Sequence, residues 1–485
     1  MKKIFSLTVA IICFYTVQAQ YKITLQAPQY KTGIAYLTYH LGKNLNIQDS
    51  GIINDKGVMI FTGNKKLPGG IYAIVFPGKN LSLDFLIDSG INQTITIKAT
   101  DTTDLLNKTV ITGSPANILF DQYQKALAPK GKLLENERKA YVASTTKADS
   151  ALHEANYVKY NKELTDFREA FIQKYPNAML VELLKAMRDP KLLMQKPLTR
   201  QDSLDNYNYY KAHYWDNVTF MDERIIRTPF FEPRLVAYYE KVVSQEPDSI
   251  TASMDYQLLL ARSCPEMYKY LLNWFTDEFF YPKYMGQDAI LVHLFEKYHS
   301  QGLSPWLSKK QEDLISNRAY MEMSNLLGAQ GANLNLIDST GKMHALYDIN
   351  ADYTLVVFWE PSCGHCKTQI PKIDSIYEAS WKKHNLKVYA VLTEDKTPEW
   401  TKFILDNHLT DWTNVYQTKE MASADEKENI PGFRQLYDVT STPTLYLLDK
   451  DKRILVKHLS WDQINDFLIV KWAAAAKAES DKLKK

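Results

Sequence analysis

Thr354-Leu355-Val356-Val357-Phe358-Trp359 is an uninterrupted run of apolar and β-branched residues, and Glu360-Pro361-Ser362-Cys363-Gly364-His365-Cys366 follows it directly. A strand with no polar face has to be covered on both sides, which makes it the centre of a sheet rather than an edge. The segments around it alternate in period. Residues 333–349 predict a β-hairpin turning at Ser339-Thr340-Gly341-Lys342, and a helical pattern begins after Cys363. LKVYAVL, a helix in PEWTKFILDNH, a strand at TNVYQ and a helix at GFRQLYDV come next. TLYLLD and RILVKHL then form a hairpin joined at Asp449-Lys450-Asp451-Lys452, and a last helix starts at WDQINDFL. Residues 328–475 therefore predict an α/β sheet with helices on both faces, trailed by a charged, helix-prone tail at 476–485.

Upstream the pattern differs. From Tyr21 to Thr112, short runs such as YKITL, IAYLTY, GVMIFTG, GIYAIVF, LSLDFLI and QTITIKA are separated by Gly, Pro, Asn and Asp. That spacing predicts an antiparallel all-β sandwich of about seven or eight strands over residues 20–113. From residue 114 to 327, apolar residues recur at three- and four-residue intervals, as in NILFDQYQKALA and ISNRAYMEMSNLL, and predict an all-α middle domain. Its aromatic stretch, residues 206–235, reads either as core packing or as a partner-binding surface. With 485 residues, 45% of them hydrophobic, the chain can support three such cores.

The chain opens with Lys2 and Lys3, an apolar run to Val17, and small residues before Gln20, the form of a secretory leader over residues 1–19 cleaved near Ala19. Cys13 follows Ile12, where a lipid-modified cysteine would need a small residue. An exported, periplasmic protein without a membrane span is expected. The formal charge of +2 gives no electrostatic case for nucleic acid or an anionic membrane.

Of the 4 cysteines, Cys264, Cys363 and Cys366 remain after such cleavage, too few for a disulfide-dense scaffold. Cys264 reads as a buried free thiol. A structural zinc site wants four ligands, and no second pair exists to complete one. Covalent haem would need His after the second cysteine, where Lys367 stands. A purely structural disulfide over so short a loop is strained. Redox chemistry suits the pair better. A thiolate at a helix start is stabilised by free backbone N–H groups, so Cys363 is expected at a pKa of about 4 to 7 rather than about 8.5, with His365 pushing the same way. Cys366, one turn further in, is then the resolving thiol. No metal and no cofactor is implied.

FWEPSCGHCKTQIP resembles the active-site stretch of thioredoxin-like proteins. Pro371, eight residues after Cys363, matches the helix-kinking proline of that family. Ser441-Thr442-Pro443-Thr444 matches the segment with the cis-proline that faces the cysteines. The hairpin before the central strand, and the 77 positions from Cys366 to Pro443, resemble the exported TlpA/ResA-like branch. The three-part architecture is similar to exported proteins of Bacteroidetes whose first two domains have no assigned role. The resemblance implies a cis Pro443 that places the Thr442 backbone where a client strand can pair, and a docking rim that includes Trp359 unless that residue only packs. One departure stands out: Val357 occupies the place of thioredoxin's buried carboxylate. Glu360 is then the first candidate to manage the Cys366 proton, with Glu394 and Asp395 behind it.

The expected function is a periplasmic thiol:disulfide oxidoreductase, with Cys363 as nucleophile and Cys366 resolving. Its partners would be client proteins carrying disulfides or thiols, and a membrane electron-transfer partner. The TlpA/ResA resemblance favours reduction of clients. The Gly-His dipeptide matches disulfide isomerases and supports the alternative of oxidation or isomerisation. A non-catalytic client-binding module is the rival class, though such a module needs neither thiol. The Pro-x-x-x-Thr-x-x-Cys environment of a peroxiredoxin is absent.

Overall fold

The computed structural model describes residues 20–89 and 93–483, which leaves the leader read at residues 1–19 outside the described residues. No described helix is long and apolar enough to cross a membrane. Two compact units form. One comprises the chain through Ser244 with Tyr256–Tyr270, the other Gln245–Asp255 with the chain from Leu271 onward.

In the first unit, β1 (Tyr21–Gln26), β2 (Ile34–Leu41), β3 (Asn44–Ile52), β4 (Val58–Gly63), β5 (Gly70–Val75), β6 (Ser82–Ile87), β7 (Gln93–Ala99) and β8 (Thr109–Thr112) make two four-stranded sheets. Their orders are β4-β1-β7-β8 and β3-β2-β5-β6. Alternation along β1 turns Ile23 and Leu25 inward and Lys22 outward, and the buried pair joins Leu37, Tyr72 and Phe85 of the other sheet in one core. The expectation of an antiparallel sandwich is corrected at one place: β1 and β7 run parallel. Side-chain alternation is blind to a neighbour's direction, which the connections set. The turn into β4 needs Gly57 at φ +76, because a Cβ there would come within 2.5 Å of the Pro28 backbone.

Helices attach to this sandwich through buried polar groups. Asn117, in the helix Pro115–Ala143, is fully buried; its side chain accepts from the Leu86 N–H at 2.7 Å and donates to the Leu86 carbonyl at 2.8 Å. It thereby satisfies both backbone groups of a residue in β6. Glu232 works likewise at the β2–β3 turn, accepting from the Lys43 N–H at 2.8 Å and from the Tyr270 hydroxyl at 3.2 Å. Glu232→Ala leaves both donors without this acceptor in a largely buried place. It should lower stability by about 1–3 kcal/mol, read as a drop in the thermal unfolding midpoint. Much of the aromatic stretch packs inward: Tyr214, Phe220 and Phe231 are buried, while Tyr207 stays exposed. The Arg234 guanidinium sits 4.4 Å from the Tyr214 ring centre, a cation–π arrangement.

The second unit carries a seven-stranded sheet, order β10-β9-β13-β12-β11-β14-β15. Its strands are β9 (Asn335–Ile337), β10 (Met343–Ala345), β11 (Tyr353–Trp359), β12 (Leu386–Leu392), β13 (Thr413–Tyr416), β14 (Thr444–Asp449) and β15 (Ile454–Lys457). β11 is flanked by β12, parallel, and β14, antiparallel. Leu355, Val357 and Trp359 face one core while Val356 and Phe358 face another, which accounts for the lack of a polar face in the run. Helices Gly364–Ala379, Pro398–Asp406 and Trp461–Leu483 lie where the periodicity predicts helix, and the last of these takes in residues 476–483 of the charged tail. The helix Lys419–Lys427 was not expected; it buries no residue fully, and Met421 packs half-buried against the core.

β15 ends in a buried cation. Lys457 Nζ donates to Asp288 at 2.6 Å, to Asn325 at 2.5 Å and to Glu322 at 3.2 Å. All three partners come from the helical segment that precedes the sheet.

Candidate active site

Cys363 caps the helix Gly364–Ala379 in extended conformation, and its carbonyl accepts the Lys367 N–H at 3.1 Å. Its sulfur is half-buried, whereas Cys366, one turn on, is completely enclosed beside Val357, Trp359 and Ile370. Both thiols are free. The Thr442–Pro443 peptide is cis, and the Cys363 thiol donates to the Thr442 carbonyl at 3.3 Å. Residues 79 positions apart are thus in direct contact.

The two thiols sit in opposite electrostatic settings. Burial pushes Cys363 up, but hydrogen bonds from the Thr442 side chain, from Cys366 and from the His365 backbone outweigh it and hold the thiol below its ordinary value. Burial dominates at Cys366 and pushes that thiol up to about 12. Alkylation of the reduced protein at neutral pH should therefore modify Cys363 and spare Cys366, with peptide mass mapping as the check.

The structure brings some of the expected residues together and sets others aside. His365 is exposed, and its contribution at Cys363 is that of a backbone N–H at the helix start rather than of its imidazole. Trp359 is fully enclosed and packs on Phe403 with ring centres 5.2 Å apart, so its proposed place on a docking rim is corrected. It continues the alternation of β11, and residues of that parity face the core. Glu360 is half-buried: one carboxylate oxygen accepts from the Thr393 hydroxyl at 2.7 Å, the other from the Thr442 hydroxyl at 3.2 Å. Glu394 accepts from Ser362 at 3.1 Å, and Asp395 forms an exposed ion pair with Lys419 at 2.8 Å.

Thr393 and Arg434 were not read as site residues. Arg434 donates to the Thr393 carbonyl at 2.7 Å, and the Thr393 N–H donates to the Trp359 carbonyl at 3.0 Å, which locks the loop after β12 to the end of β11. A groove of about 590 Å³ runs beside Pro443, lined among others by Gln369, Ile373, Leu445, His458 and Trp461. Trp461 donates to Gln369 at 2.8 Å across its wall. Gln369 and Ile373 stand three and seven residues after Cys366, helical spacing that marks one face and was the available signal. Among the described residues, no group of three or more His, Cys, Asp and Glu side chains is placed to hold a metal ion.

Residues 327–457 match the AhpC/TSA family. Residues 136–323 and 21–120 match two domains of unknown function, DUF5106 and DUF4369. Among solved structures, the chain is similar to a thioredoxin-like protein from Bacteroides caccae, at 24% identity over 58% of this chain and 98% of that one, with a TM-score of 0.44. A domain of a possible thiol-disulfide isomerase from Cytophaga hutchinsonii is 36% identical over 32% of this chain and 97% of that one, with a TM-score of 0.27. The thioredoxin domain of a thiol-disulfide oxidoreductase from Bacteroides vulgatus is 24% identical over 29% of this chain and 96% of that one, with a TM-score of 0.25. No curated protein matches the chain.

Proposed function

We propose that the chain, whose residues 327–457 form a thioredoxin-like domain matching the AhpC/TSA family, is a thiol:disulfide oxidoreductase that reduces disulfides of client proteins in the periplasm. One observation carries this reading: a half-exposed thiol at a helix start, held below its ordinary pKa, with a second thiol sealed one turn behind it. The Cys363 thiolate attacks one sulfur of a client disulfide, and the first client thiolate leaves. Cys366 then attacks the Cys363 sulfur of the mixed disulfide, forming the Cys363–Cys366 bond and releasing the second client thiolate. Two electrons and two protons pass from the dithiol to the client. A dithiol reductant or a membrane electron-transfer partner restores the pair.

The groove beside Pro443 supports docking of an extended client segment, whose backbone would pair along the Thr442 edge. The leader-like opening of the sequence supports the compartment, and the TlpA/ResA resemblance supports the direction. A second reading, oxidation or isomerisation, is favoured by the lowered Cys363 thiol, since stabilising the thiolate stabilises the reduced protein. The test is turnover of insulin disulfides by the full-length chain with dithiothreitol as electron donor. Multiple turnovers per molecule are expected. Stoichiometric binding to insulin without turnover would favour a client-binding module.

A further inference from the structure

Glu360 has no obvious task once its carboxylate is placed. In the sequence it is the natural candidate to take a proton from Cys366. Yet both of its oxygens are occupied by hydroxyl donors from two other loops, Thr393 at 2.7 Å and Thr442 at 3.2 Å. What Glu360 offers Cys366 is its backbone, which hydrogen-bonds to the buried sulfur. The Thr442 carbonyl, on the other side of the same residue, accepts from the Cys363 thiol at 3.3 Å. Thr393 is itself fixed, by its N–H to Trp359 at 3.0 Å and by its carbonyl to Arg434 at 2.7 Å. The carboxylate is therefore a strut between an anchored loop and the Pro443 loop, and the far end of that strut touches the nucleophilic sulfur.

We infer that Glu360 is a positioning residue for protein clients: by holding the Thr442 hydroxyl it sets the Thr442–Pro443 backbone edge, where an extended client strand docks, in register with Cys363. This rests on the thiol:disulfide reading and adds a substrate preference to it. A disulfide within a polypeptide uses the docking edge, while a small disulfide reaches the sulfur without it. A hydrogen bond to an ionised acceptor is among the stronger kind, and binding made by remote parts of a substrate appears in the protein client only.

The test compares insulin with hydroxyethyl disulfide, dithiothreitol as reductant, on the full-length chain and its Glu360→Ala, Glu360→Gln and Thr442→Val variants. Glu360→Ala should lower kcat/KM for insulin by about tenfold to thirtyfold, mostly through KM, and for the small disulfide by about twofold to threefold. Glu360→Gln keeps an acceptor oxygen and should stand within about threefold of the parent on insulin. The pH–rate profile should keep its shape in the two Glu360 variants, whereas Thr442→Val should also move its thiol limb to higher pH, because a Thr442 side-chain hydrogen bond helps hold Cys363 low. Thr442→Val should raise the insulin KM as Glu360→Ala does, and with Glu360→Gln it carries the test if the alanine variant does not fold. Equal losses on both disulfides, or a glutamine variant as impaired as alanine with a missing limb in the pH profile, would make Glu360 a proton acceptor and overturn the inference. An unchanged insulin KM in Thr442→Val and Glu360→Ala would also overturn it while leaving the proposed function intact. If the parent protein reduces neither disulfide, the thiol:disulfide reading itself fails.

Discussion

Cys366→Ser should accumulate mixed disulfides with client proteins, whereas Cys363→Ser should accumulate almost none and lose turnover by at least about a thousandfold. The asymmetry follows from burial. Only the Cys363 sulfur is open to a partner, and only it has its thiol held below the ordinary value. With Cys366 replaced, the first attack proceeds and nothing resolves the adduct. With Cys363 replaced, the remaining thiol is enclosed and pushed up to about 12, so almost none of it is thiolate at neutral pH. Non-reducing electrophoresis after acid quenching separates the two variants. Equal trapping by both would reverse the assignment.

Lys457→Met should cost about 3–5 kcal/mol of stability, the range for removing one partner from a buried ion pair. The Lys457 side chain is 4% exposed and those of Asp288 and Glu322 are 1% and 2% exposed, so no water replaces the lost ammonium. Burial already pushes the Glu322 carboxyl up, against the opposing pull of Lys457 and Arg318. The sign of the pH dependence follows. A carboxyl whose folded pKa is raised binds a proton more readily in the native state, and once neutral it no longer needs a counter-charge. The deficit of the variant should therefore shrink as pH falls from neutral to mildly acidic. Denaturant unfolding at both pH values measures it.

The legible part of this protein was the part written in local pattern. The run through β11 has no polar face because two cores cover it, and the cysteine pair begins a helix, so both could be read from adjacent residues. The placement of Pro443 came from a resemblance. Contacts between distant positions left no such trace. Glu360 meets Thr393 and Thr442, 33 and 82 positions away, and a carboxylate beside a Pro-Ser turn has the same sequence whether it is solvated or a strut. Lys457 sits in RILVKHL as an ordinary strand lysine would, and its partners lie 132 to 169 positions upstream. Elements that bury little escape as well. β3 and the helix Lys419–Lys427 present no fully buried residue, so little alternation or helical stripe marks them. Trp359 shows the reverse error, since a large aromatic beside an active site reads as a rim although both faces of its strand are covered by cores.

The most direct test of dithiol chemistry in the service of client reduction is the reduction potential of the Cys363/Cys366 pair in the full-length protein, equilibrated with dithiol buffers and scored by mass after alkylation. One two-electron transition that forms the Cys363–Cys366 disulfide is expected, with a potential near or below about −250 mV, where about 30 mV corresponds to about 1.4 kcal/mol. A potential near about −150 mV would contradict the reductive direction, and the absence of any transition linking these two cysteines would contradict the dithiol mechanism itself.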